Sequence, residues 1–87
     1  MYYKEFKKII ESIMQKDLDR EELIDILLTT FDCEKVYESD DKLVTDIYFS
    51  LKHFASGEEI IENKEWSYFL DCLSGKRKYK FEEKMAL

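Results

Sequence analysis

The 87-residue chain contains no proline and only two glycines, Gly57 and Gly75. An all-β sandwich needs turn residues roughly every 8–12 positions, and these two residue types supply many of them. The chain cannot meet that demand. Each glycine instead follows the end of an apolar series with helical period, the place for a left-handed residue that stops a helix. The fold class that follows is all-α. A chain of this length makes one domain, residues 1–87. No apolar run approaches the ~18 residues needed to cross a bilayer. The first eight residues carry Lys4, Glu5, Lys7 and Lys8 where a secretory segment would be apolar. A soluble, cytoplasmic protein is expected.

Periodicity predicts four helices. Tyr2, Phe6, Ile9, Ile10 and Ile13 make one stripe of the first, which runs to about Lys16. The second starts at Asp19, a candidate N-cap with Glu22 three residues on, and Leu18 and Leu23 hold the staple positions. Its apolar set is Leu23, Ile24, Leu27, Leu28 and Phe31, and Ile26 widens that face enough to predict a central helix. Asp32 to Ser39 reads as a polar connection enclosing Val36 and Tyr37. The third helix is expected from Ser39 or Asp40, on the row Leu43, Ile47, Leu51 and Phe54 with Val44, Tyr48 and Ala55 beside it. Phe49 points away from that row. Asn63 is a candidate N-cap for the fourth, whose stripe is Trp66, Phe69, Leu70 and Leu73. Residues 76–87 are either a basic tail or a short fifth helix. Short connections predict an antiparallel, bundle-like arrangement.

Fourteen Lys and Arg face twenty Asp and Glu, for a net charge of −6. This disfavours a general nucleic-acid binder, which gains affinity by neutralising phosphates. The asymmetry along the chain says more. Asp17 to Asp41 holds ten acids against only Arg20 and Lys35, whereas Lys76-Arg77-Lys78-Tyr79-Lys80 is basic. The acidic stretch is either a solubilising surface or a face that steers a basic partner. The basic cluster faces solvent or pairs within the molecule.

Catalytic signatures are missing. His53 is the only histidine and lies in a helix with no motif around it. Cys33 and Cys72 lack metal-ligand spacing and are expected as reduced thiols, with a disulfide between them as the alternative. Phosphate loops and calcium loops are absent, and Asp40, Asp41 and Asp46 lack the spacing of hard-cation ligands. The expectation is therefore no enzyme, no cofactor and no metal. Interfaces are anchored by aromatic side chains more than by scattered charge. Tyr37 lies amid Glu34, Glu38, Asp40 and Asp41, and Asp46 precedes Tyr48. Either tyrosine could instead be packed inside. The predicted contact set is Asp25, Asp32, Glu34, Tyr37, Glu38, Asp40, Asp41, Asp46 and Tyr48.

Three segments carry a likeness to a known group. They are Glu5-Phe6 followed by Ile9, Ile10 and Ile13; the acidic helix Glu22 to Leu28 ending in Phe31; and Asp46-Ile47-Tyr48-Phe49. In these the chain resembles small bacterial immunity proteins of the nuclease-bacteriocin type, and its size and charge resemble those of contact-dependent-inhibition systems. The family's His-Pro-Asp-Gly segment is absent, and residues 40–56 read as a long helix where the family has a short one. The resemblance implies an acidic four-helix protein that neutralises a cognate toxic nuclease through an acidic helix face and aromatic residues. The expected role is an inhibitor of a basic toxin, acting as a monomer or weak homodimer. The alternatives are a phage- or plasmid-encoded regulator that mimics nucleic acid, and a self-associating module.

Overall fold

The computed structural model describes residues 2–87. It contains α1 (Tyr3–Met14), α2 (Arg20–Thr30), α3 (Cys33–Glu38), α4 (Lys42–Ser56), α5 (Asn63–Leu73) and α6 (Phe81–Met85), with no strand among the described residues. The four long helices match the four expected from periodicity. The two short ones, α3 and α6, fall in the expected polar connection and in residues 76–87.

Side-chain caps fix several starts. Asp19 accepts from the Glu22 amide at 2.8 Å, as the sequence predicted. Asp32 accepts from the amides of Glu34 and Lys35 and so starts α3. Asp41, not Ser39 or Asp40, caps α4, accepting from Leu43 and Val44. Asp40 takes a left-handed conformation between the two helices (φ 57°), which aspartate tolerates better than most residues. Asn63 is inside α5, and Glu62 occupies its N-cap without a side-chain bond.

Three helices end alike. Past α4 and α5, left-handed Gly57 and Gly75 let two successive amides bond back to helix carbonyls: Gly57 to Phe54 and Glu58 to His53, Gly75 to Cys72 and Lys76 to Asp71. Past α1 the same pair forms, Lys16 to Ile13 and Asp17 to Ser12, with Lys16 at φ 60° in the glycine position. The apolar stripe predicts a stop near Lys16, and no glycine marks the left-handed residue there.

Helix α4 is the central element. It packs against α2, α3 and α5, while α1 packs on α5. It buries Leu43, Val44, Ile47, Tyr48, Ser50, Leu51 and Ala55. The expectation that α2 is central is corrected. Only Leu23 and Leu27 of that helix are buried, and Ile24 and Leu28 face outward. One continuous core joins Phe6, Ile9, Ile10 and Ile13 of α1 to Val36, the α4 row, and Trp66, Tyr68, Phe69 and Cys72 of α5. Phe6 stacks on Phe31 with centroids 4.8 Å apart, tying α1 to the end of α2. In α5 the buried stripe is rotated from the one expected, taking in Tyr68 and Cys72 and leaving Leu70 and Leu73 half-buried.

The last twelve residues form a strap. Helix α6 buries none of its own residues. It is held by polar contacts instead. The Tyr68 hydroxyl donates to the Lys80 carbonyl at 3.0 Å and accepts from the Lys80 amide at 2.9 Å. Asp46 accepts from the Tyr79 hydroxyl at 2.5 Å and from the Lys84 ammonium at 2.8 Å. Arg77 reaches Glu83 at 3.4 Å and lies 4.7 Å from the Tyr68 ring centroid.

Candidate functional site

The acidic stretch from Asp17 to Asp41 becomes the outer helix α2, the short helix α3 and their connections. Within it Asp25, Glu34, Glu38 and Asp40 are exposed. Asp32 is exposed while capping α3, and Asp41 is half-buried, capping α4 and accepting a bond from the Tyr3 hydroxyl at 2.8 Å. Among the described residues, none of the ten carboxylates in this stretch lies within 4 Å of a cationic side chain. The ion pairs formed are His53–Glu58, Lys64–Glu62, Arg77–Glu83 and Lys84–Asp46, all outside it. The basic cluster at 76–80 does not neutralise the acids. It stays exposed apart from half-buried Tyr79, and its Arg77 serves the C-terminal strap.

Two members of the predicted contact set are corrected. Tyr48 is only 5% exposed, because α4 is the central helix and its ring is enclosed by Phe31, Tyr37 and the Lys52 side chain. Asp46 faces the strap, where Tyr79 and Lys84 occupy both of its oxygens. Both Asp46 oxygens are already engaged, and Tyr48 presents only a small edge at the surface.

Tyr37 fares differently. One turn of α3 places it over α4 with its ring at 40% exposure. Its centroid is 5.4 Å from Phe49, and Phe49 stacks on His53 at 6.2 Å. Phe49 is itself 41% exposed. An aromatic row thus runs along the outside of α3 and α4, between exposed acids and with its edges in water. Burial against this row, reinforced by the Cys33 thiol, raises the Tyr37 phenol above its ordinary value. It remains protonated and able to donate a hydrogen bond.

Two apolar members of the surface were not predicted as functional. Ile24 and Leu28 had been assigned to the core because they share the helical stripe, yet Leu28 is 76% exposed. Periodicity reports which residues share a helix face. It cannot say how much of that face a neighbour covers.

His53 Nδ1 lies 2.7 Å from Glu58 Oε2, on the surface. Among the described residues no group of three or more His, Cys, Asp and Glu could hold a metal, and no buried polar side-chain atom lacks a partner. Cys33 and Cys72 are both free thiols, half-buried and buried respectively, and no disulfide joins them. No helix among the described residues is long and apolar enough to cross a membrane. No protein-family model, curated protein or solved structure matches the chain.

Proposed function

We propose that the protein is a non-enzymatic inhibitor that binds and neutralises a basic protein toxin, a nuclease, through the outer faces of α2, α3 and α4. One observation carries this reading. Among the described residues, ten carboxylates gathered in one stretch have no cation within 4 Å, and half-exposed Tyr37 and Phe49 lie near them in the fold. Unbalanced charge of one sign sets up a field that steers an oppositely charged partner and speeds encounter. A nuclease fits because the groove that holds nucleic acid is itself cationic and is matched by distributed negative charge. Exposed aromatics then supply the contact that lasts, through apolar burial and cation–π contact with Lys and Arg. Asp25, Glu34, Tyr37, Glu38 and Asp40 form the working set, with Asp32 and Asp41 adding charge while they cap helices.

The test is binding and protection against the protein encoded beside this chain's own reading frame. Substituting Glu34, Glu38 and Asp40 together by their amides should slow association and weaken protection, with the thermal midpoint unchanged. Full protection by that variant would contradict the reading. The exposure of Leu28 and Ile24 favours a second reading, self-association, which a concentration-dependent mass in ultracentrifugation would support.

A further inference from the structure

An apolar groove of about 340 Å³ runs between α2 and α4. Ile24, Leu27 and Leu28 line it from α2, Cys33 from α3, and Tyr48 and Ala55 from α4, with Lys52 at the α4 edge. Leu27, Tyr48 and Ala55 are buried and form its floor. Ile24 and Leu28, four residues apart, form an open wall, 41% and 76% exposed. A groove between two helices, walled by an i, i+4 aliphatic pair, has the shape that receives another helix.

We infer that this groove takes an amphipathic cationic helix of the partner, with aliphatic side chains at i, i+4 and i+7 set between α2 and α4. The inference rests on the proposed basic partner and adds the form of its contact segment. Charge selects this occupant. Glu21 and Asp25 each stand three residues before a groove residue, Ile24 and Leu28, and so line the outer lip of α2. Asp32, the exposed cap of α3, directly precedes Cys33 of the groove. None of the three has a cation within 4 Å among the described residues, and Lys52 is the one base lining the groove. Lys and Arg flanking the aliphatic stripe would meet these acids. A second copy of this chain fits poorly, because a two-fold contact sets the patch against itself, and that patch carries three acids to the one base, Lys52. Among the described residues an extended peptide has no open sheet edge to join.

Three synthetic four-turn peptides test this against the ¹⁵N-labelled full chain. One carries Leu at i, i+4, i+7 and i+11 among Lys; one replaces those Leu by Gln; one replaces the Lys by Glu. The Leu/Lys peptide should bind saturably and shift the amides of Ile24, Leu28, Cys33 and Lys52. Leu28→Gln, at an exposed position, should weaken that binding about tenfold with the fold intact. Equal binding by the Gln/Lys peptide, or shifts confined to other acidic residues, would overturn the groove and leave the acidic face standing. No binding by either Lys peptide, or equal binding by the Leu/Glu peptide, would overturn both. A dimer mass abolished by Leu28→Gln would put a second copy in the groove and overturn the inference.

Discussion

Replacing Asp46 by Ala should release the C-terminal strap without unfolding the rest of the chain. Asp46 and Lys84 are 15% and 12% exposed at the side chain, and the same carboxylate accepts from Tyr79. A hydrogen bond to a charged group is worth about 1.5–3 kcal/mol, and removing one partner of a buried pair costs about 3–5 kcal/mol. Lys84 belongs to a helix with no buried residue and can turn to water, which relieves part of that penalty. The expected loss is then ~3 kcal/mol, bounded above by what docking of the strap contributes in total. It should appear as local opening. Amide exchange at Lys84, Ala86 and Leu87 should quicken on the order of 100-fold, while amides of Leu43 to Ala55 hold within a few-fold. Asp46→Asn keeps an acceptor for Tyr79 and should fall between. Unchanged protection at the strap amides in Asp46→Ala would refute the assignment of Asp46 as its fastener. Loss of partner binding with the strap still protected would return Asp46 to the contact surface.

Further outcomes follow from the same geometry. Asp41→Ala removes the acceptor for the Leu43 and Val44 amides and for the Tyr3 hydroxyl, and should cost about 1–2 kcal/mol in chemical denaturation, with Asp41→Asn recovering most of it. Lys16→Gly should stabilise by roughly 0.5–1 kcal/mol, since a non-glycine left-handed residue costs about 1–2 kcal/mol and glycine gives part of that back as unfolded-state entropy. A midpoint lowered by Lys16→Gly would contradict the shared helix ending. Burial, then the bond to Asp46, holds the Tyr79 phenol far above its ordinary value of 10.0. The folded state therefore keeps a proton that the unfolded chain loses. This contribution is complete below pH 10 and declines as pH rises beyond it, and Tyr79→Phe should flatten that decline in an alkaline denaturation series.

Local physics was readable in the sequence and long-range pairing was not. The Asp19–Glu22 start, the glycine stops at 57 and 75, and the buried row of α1 all depend on residues within a few positions of each other. Helix α3 escaped because six residues with one buried anchor, Val36, give no period to detect. The end of α1 near Lys16 was legible from where its apolar stripe stops, but not its left-handed geometry, because Lys16 does the work of a glycine. Helix α2 looked central because its aliphatic arc is wide, yet its neighbours leave Ile24 and Leu28 uncovered. Asp46 was taken for a surface acid because its partners lie 33 and 38 residues away. The candidate surface followed the same division. Local acid density singled out Asp25, Glu34, Glu38 and Asp40, which are exposed, and the place of Tyr48 beside the apolar row already set it apart from Tyr37 in a polar connection, although nearby acids put both in the contact set.

The most direct measurement is the association rate with the neighbouring reading frame's product across a series of salt concentrations. An unpaired acidic face predicts a rate that falls steeply as salt screens it, and a shallower slope once Asp25, Glu34 and Glu38 carry amides. A rate indifferent to both salt and those substitutions would contradict the account.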